Sequence, residues 1–134
     1  GISDKSARQI MAAVDQAGLL FHDKYANYRE LLYVWGVLER PRTNAEYEGQ
    51  IIITRKIIRQ IDEILQSLYV LEREILMAEF GISGHQCKAK KEIAQDLGIT
   101  YGRLRTLETH ALQKLRLDSR RRVMTRVLEQ ASDF

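Results

Sequence analysis

The chain has 134 residues, 45% of them apolar, and carries 21 Lys+Arg against 18 Asp+Glu, a formal charge of +3, with one Pro and one Cys. That length suits one compact domain or two very small ones, and no stretch approaches the roughly 18 unbroken apolar residues of a membrane span or shows a signal-peptide pattern. A lone cysteine excludes a disulfide framework and suits a reducing cytoplasm, and scarce Pro among 29% charged residues favours long helices over disorder.

The chain opens on Gly1 rather than Met, as expected of a fragment or a trimmed form of a longer protein. No stretch shows strand alternation. Ser3 or Asp4 can cap a first helix whose apolar positions Ala7, Ile10, Met11 and Val14 recur at helical spacing, with Gly18 as its stop. A second helix is expected from near Phe21 to Glu39, closed by Pro41; it carries Phe21, Tyr25, Tyr28, Leu32, Trp35 and Leu38 as a core stripe. Thr43 and Glu46 then form a T-x-x-E capping box. Beyond them Tyr47, Ile51, Thr54, Ile58, Ile61, Leu65 and Leu68 step by four and three, the pattern of a heptad seam on one helix of roughly 37 Å. Ile53, Ile57 and Ile64 widen the apolar face. Two uses stay open for this helix: a hairpin with the second helix, or a surface for a protein partner or self-association along Tyr47–Leu68.

After Leu68 the elements shorten. Leu71, Ile75, Leu76 and Phe80 make one helix face closed by Gly81, and Ile82 to Ala89 reads as a loop. Short helices follow over about Lys90–Leu97 and Thr100–Arg116, and a last one over about Ser119–Gln130. The expected architecture is all-α: a helical part over residues 1–67, for packing or protein contact, and a helix-turn-helix domain over 68–134.

Charge divides along the same line. Gly1 to Ser67 holds nine basic and nine acidic side chains, whereas Gly81 to Arg126 holds eleven basic against four acidic. A basic half beside a neutral one implies that only the second meets a polyanion. Its centre fits a helix-turn-helix. Ala94 is the small contact residue of the first helix, Gly98 is the turn, and Thr100 is the cap of the second helix. Ile93, Leu97, Ile99, Leu104 and Leu107 are expected to face inward. Tyr101, Gly102, Arg103, Arg105, Thr106 and Thr109 are then left outward, to enter the major groove. The candidate DNA-binding set is Lys88, Lys90, Lys91, Thr100, Tyr101, Gly102, Arg103, Arg105 and Thr106. Arg suits guanine or phosphate, Thr a thymine methyl or phosphate, and the lysines the backbone.

From Leu68 to about Leu128 the chain resembles region 4 of primary-type bacterial RNA polymerase sigma factors. LYVLEREILMAEFGI follows the family pattern at Leu68, Glu72, Arg73, Leu76, Phe80, Gly81 and Ile82. EIAQDLGITYGRLRTLETHALQKLR follows it at Glu92, Ile93, Leu97, Gly98, Arg103, Arg105, Glu108, Ala111, Leu112, Lys114, Leu115 and Arg116. The resemblance implies promoter DNA as a ligand of the recognition helix, with Arg103 and Arg105 as contact positions. It also implies the β flap of RNA polymerase as a partner of an apolar face. Leu71, Ile75, Leu76, Leu112 and Leu115 are the candidates for that contact or for the core. The chain departs from the pattern at Tyr101-Gly102 and Thr106, which replace base-reading residues, at Glu79, where a basic residue is usual, and at Ala89-Lys90-Lys91, His110 and Gln113. Residues 1–67 do not resemble the segments that ordinarily precede region 4. These departures suit a divergent or accessory sigma-like regulator, or a module that keeps the fold to bind polymerase or another regulator without reading bases. An ordinary dimeric repressor using the heptad helix is a third reading.

His85-x-Cys87 is the one thiol–imidazole pair, short of the four paired ligands of structural zinc. There is no glycine-rich phosphate loop, Ser-His-Asp set or convergent carboxylate pair, so neither catalysis nor a cofactor is expected.

Overall fold

The computed structural model describes residues 25–132. The expected first helix, with Ser3, Asp4, Ala7, Ile10, Met11, Val14 and Gly18, lies outside the described residues, as does Phe21. Among the described residues there are seven helices and no strand: α1 Ala26–Trp35, α2 Asn44–Glu48, α3 Arg55–Gln66, α4 Val70–Phe80, α5 Lys90–Leu97, α6 Tyr101–Leu115 and α7 Asp118–Ser132. Among the same residues, no helix is long and apolar enough to cross a membrane.

Helix α1 ends earlier than Pro41 suggested. Gly36 adopts φ 93°, and its N–H and that of Val37 return to the Leu32 carbonyl at 3.1 and 3.2 Å. A left-handed glycine that satisfies the last carbonyls stops a helix by itself, so Glu39 lies beyond it. The aromatic stripe does form core: Leu31, Leu32 and Trp35 are buried, with Tyr25 and Tyr28 packed at the margin.

The long heptad helix is two helices. The capping box is present as expected, with Glu46 N–H donating to Thr43 Oγ1 at 3.1 Å and Thr43 N–H to the Glu46 carboxylate at 3.1 Å. The helix it starts ends at Gly49. Residues 50–53 are irregular, and Thr54 caps a fresh start by accepting from Ile57 N–H at 3.3 Å. Gly49 costs about 1 kcal/mol of helix propensity, and the β-branched run Ile51-Ile52-Ile53-Thr54 adds more. Tertiary bonds hold the break: Arg29 Nη2 donates to the Ile51 carbonyl at 2.7 Å and Gln50 Nε2 to the Tyr33 hydroxyl at 2.8 Å. A continuous Tyr47–Leu68 helix, on which a partner or a second copy was to pack, therefore does not form. Tyr47 and Ile52 are exposed on the linker, while Ile53, Ile57, Ile61, Ile64, Leu65 and Leu68 are core.

α1 packs chiefly on α4 and α3 on α7, so the N-terminal helices join through the bundle rather than as an isolated hairpin. Two apolar clusters result. The larger joins Leu32, Trp35, Ile57, Ile61 and Leu65 to Leu76, Phe80, Ala111, Leu115, Met124 and Leu128. The smaller joins Ile75, Ile93, Ala94, Leu104 and Leu107. Helices α4 and α6 belong to both.

Polar ties cross the same seam. Trp35 Nε1 donates to the Leu115 carbonyl at 2.6 Å, and Arg116 Nη2 returns to the Val34 carbonyl at 2.7 Å. Asn27 Nδ2 donates to the Gly81 carbonyl at 3.0 Å, and Ser83 N–H to the Tyr28 hydroxyl at 3.1 Å. The buried Glu72 accepts from Lys114 Nζ at 2.7 Å and from Tyr69 N–H at 3.1 Å, and the same ammonium sits 3.5 Å from the Tyr69 ring centroid. Burial of that carboxylate is tolerable because it is paired and hydrogen-bonded.

Gly81 and Gly36 both have positive φ but differ in surroundings. A Cβ on Gly81 (φ 65°) would lie 2.8 Å from Cys87 Cβ and 2.9 Å from its nitrogen, whereas one on Gly36 meets nothing within 4 Å. Gly36→Ala should cost only the left-handed backbone penalty of roughly 1–2 kcal/mol, and Gly81→Ala clearly more because the loop must also shift. Urea unfolding of the two variants, read as midpoints at constant slope, checks the order.

Candidate nucleic-acid interface

The helix-turn-helix closes on the residues the spacing singled out. α5 ends at Gly98 (φ 66°), where the Ile99 N–H reaches back to the Ala94 carbonyl at 3.0 Å and the Gly98 N–H to that of Gln95 at 3.1 Å. This satisfies the orphan carbonyls and turns the chain. Thr100 then caps α6, accepting from Arg103 N–H at 3.0 Å. Ile93, Ala94, Leu104 and Leu107 are buried against Ile75, with Leu97, Ile99 and Ala78 partly buried around them.

With Leu104 and Leu107 inward, Tyr101, Gly102, Arg103, Arg105, Thr106 and Thr109 are all exposed on the opposite face of α6. The threonine hydroxyls are already engaged. Thr106 Oγ1 donates to the Gly102 carbonyl at 3.1 Å and Thr109 Oγ1 to the Arg105 carbonyl at 2.9 Å. Each therefore offers a ligand its methyl group and an acceptor oxygen, not a donor.

The structure sorts the basic residues into two groups. Among the described residues, no carboxylate pairs with Lys91, Arg103 or Arg105, and all three are exposed. Lys88 donates to Asp96 Oδ2 at 2.6 Å, and Lys90 Nζ lies 3.2 Å from Glu108 Oε1 and 3.6 Å from Glu79 Oε1. Arg116 and Arg120 are turned onto the protein, Arg120 to Ser67 Oγ at 3.0 Å. Arg121 and Arg126, outside the sequence-based set, are exposed on α7.

The Glu79–Glu108 pair escaped sequence reasoning because its members lie on different helices at no local spacing. Burial pushes the Glu79 carboxyl up to about 8, aided by Glu108 and opposed by Lys90. Burial also raises Glu108, but the hydrogen bond with Glu79, the Lys90 ammonium and the Arg105 guanidinium outweigh it and hold that carboxyl below its ordinary value. Lys90 loses basicity to burial, yet its carboxylate partners leave it raised.

Of the residues put forward for a protein partner, Ile75, Leu76 and Leu115 are wholly buried and form core. Leu71 is exposed and Leu112 half-buried against the larger core; Tyr69, Val70 and Leu117 are further exposed apolar residues. His85 and Cys87 turn to separate partners: His85 Nε2 to Glu74 Oε2 at 2.8 Å, and the Cys87 thiol to the Glu79 carbonyl at 3.2 Å.

The family model described as "Sigma-70, region 4" matches residues 64–117, which contain the helix-turn-helix. The "RNA polymerase sigma factor SigA" of Nostoc sp. is 32% identical over 73 residues, covering 54% of this chain and 19% of that protein. The protein of the same name from Listeria monocytogenes is 31% identical over 70 residues, covering 52% of this chain and 19% of its own. The "RNA polymerase sigma-C factor" of Nostoc sp. is 29% identical over 83 residues, covering 62% and 20%. The chain thus spans about a fifth of the length of these curated relatives. No solved structure matches it. Residues 64–117 are a sigma-70 region 4 helix-turn-helix domain.

Gly102 sits in the first turn of α6, and a Cβ there meets nothing within 4 Å. Gly102→Ala should therefore stabilise the fold by about 0.4–1 kcal/mol through helix propensity alone. Thr100→Ala should lose about 1 kcal/mol with the cap. Thermal unfolding of both variants checks the signs.

Proposed function

We propose that this region 4 domain makes the chain a sigma-like transcription factor or regulator, which binds promoter DNA through α6 and contacts RNA polymerase. The observation that carries this reading is the outward face of α6. It holds Arg103 and Arg105, neither of them in an ion pair with a carboxylate among the described residues, with Lys91 exposed nearby on α5, opposite a buried face that fixes its orientation. Unpaired cations release counterions on meeting phosphates, and Arg can add bidentate contacts to guanine. Lys88 and Lys90 contribute less, because contact with DNA would first break their ion pairs. Tyr101 and the methyl groups of Thr106 and Thr109 offer apolar contact to thymine.

The polymerase contact is assigned to the exposed apolar residues at the head of α4, Tyr69 to Leu71, with Leu112, as a site for the β flap. The helical part before residue 68 is assigned to packing and protein contact, with Tyr47 and Ile52 as its exposed apolar residues.

A second reading has one observation in its favour. At Gly102 and Thr106, the positions facing a groove, the chain presents no side chain and an internally bonded hydroxyl, respectively. A region 4-like module that binds polymerase or a regulator without reading bases would carry such residues.

Selection from a pool of random duplexes at two salt concentrations separates the readings. Promoter binding predicts an enriched motif and affinity that falls steeply with salt; absence of a motif, together with retention of the polymerase flap, supports the interaction module. Arg105→Ala should cost roughly 1–3 kcal/mol and relax specificity at one position, whereas Lys91→Ala should weaken all sequences alike and lower the salt slope by about one.

A further inference from the structure

Three helices of the DNA-binding unit meet at a charged cluster whose two acids the DNA contact does not use. Glu79 comes from α4, Lys90 from the first turn of α5 and Glu108 from the middle of α6. Lys90 Nζ reaches one oxygen of each acid, at 3.2 Å for Glu108 and 3.6 Å for Glu79. The other two oxygens, Glu79 Oε2 and Glu108 Oε2, are buried, and no donor among the described residues reaches either. Both acids close on the same ammonium, which brings their carboxyl groups together at the junction of the three helices. Two ionised carboxylates cannot bond, since each only accepts. One proton held between them makes one a donor and satisfies both, and a single ammonium then balances the one remaining negative charge.

We propose that Glu79, Glu108 and Lys90 form a shared-proton clamp that fixes the angle of the recognition helix α6 on α4 and α5, so that loss of the proton loosens that helix and weakens DNA binding. The DNA half rests on the functional reading above; the clamp itself does not. The other groups facing the cluster are Arg105, whose positive charge lies beside Glu108, Tyr101 beside Lys90, and the Cys87 thiol, which donates to the Glu79 main-chain carbonyl. None of them replaces the missing donor. Above the titration of the pair, two carboxylates share one lysine in a partly buried site, and their repulsion acts between α4 and α6.

The direction of the pH dependence follows from Glu79. Its folded-state value of about 8 stands above its ordinary 4.5, so the folded chain keeps a proton that the unfolded chain releases between those values. This group's contribution to stability is therefore highest below about 4.5, declines as pH rises through the window, and levels off above about 8.

The test uses the full chain and Glu79→Gln, whose carboxamide can donate to Glu108 at every pH. Three quantities are followed from about pH 5 to about pH 9: the carboxyl carbon resonance of Glu79, the unfolding midpoint, and affinity for a mixed-sequence DNA duplex at fixed salt. In the native chain Glu79 should titrate near the upper end of the window, with an unfolding midpoint that falls as pH rises towards that point and levels off beyond it, and with several-fold weaker DNA binding above it. In Glu79→Gln the midpoint should lose that slope and DNA affinity should stay level. Titration of Glu79 in the ordinary carboxylate range overturns the clamp, and this measurement needs no variant to fold. An unchanged slope in Glu79→Gln overturns it too. Titration as expected with pH-independent DNA affinity overturns the positioning of α6. Titration as expected with no DNA binding at any pH upholds the clamp and removes the functional reading instead.

Discussion

The bond from Trp35 Nε1 to the Leu115 carbonyl, 2.6 Å long and buried, determines where the recognition helix stops and what it stops against. The last carbonyls of a helix need donors from outside it, and here a side chain from the opposite end of the described chain supplies one. Arg116 returns the tie by bonding the Val34 and Trp35 carbonyls. Around this cross-brace, Ala111 and Leu115 enter the larger core and Leu104 and Leu107 the smaller one. One rigid helix thus has its C-terminal half set by the bundle and its N-terminal half set by the helix-turn-helix. Rotation about its own axis would pull residues out of two cores at once, so its outward face is fixed.

That constraint gives the surface its meaning. A count of basic residues treats Lys88, Lys90, Lys91, Arg103, Arg105, Lys114, Arg116 and Arg120 as equals. Packing divides them into cations that hold the protein together and cations that face solvent. Lys114 neutralises the buried Glu72, Lys88 pairs with Asp96, Lys90 serves two acids, and Arg116 and Arg120 stitch helix ends to neighbouring segments. Arg103, Arg105 and Lys91 remain, and they lie on or beside the face that the two cores hold outward. The region 4 match over residues 64–117 takes in the smaller cluster and the C-terminal half of α6 but stops short of Trp35, so part of what orients this domain lies outside the matched residues.

Much of the helix-turn-helix could be read directly from the residues because its punctuation is local. Gly81 and Gly98 close α4 and α5 in the left-handed conformation, Thr100 caps α6, and the apolar spacing from Ile93 to Leu107 states which side is in. The N-terminal helices were less legible for the same reason inverted. The apolar periodicity runs on through Gly49, so the break there shows only once Arg29 and Gln50 are seen holding residues 50–53 in place. Pro41 is the stronger helix breaker by residue type, but Gly36 ends α1 before it. Leu71, Ile75 and Leu76 share an apolar pattern, but burial separates the exposed first from the other two, and only packing against α1, α5 and above all α6 decides that. The Glu79–Lys90–Glu108 cluster had no signal at all in local spacing. Glu79 stood out only as an acid where the region 4 pattern favours a base.

On the proposed function, the outward face of α6 is the surface that meets DNA. Amide chemical-shift mapping of the full chain, titrated with a duplex at low salt, tests it residue by residue. Shifts should concentrate at Tyr101 to Thr109 and Lys91, with the amides of α3 and of Tyr69 to Leu71 unmoved. Shifts confined to Tyr69–Leu71 or to α7, with α6 silent, would contradict it.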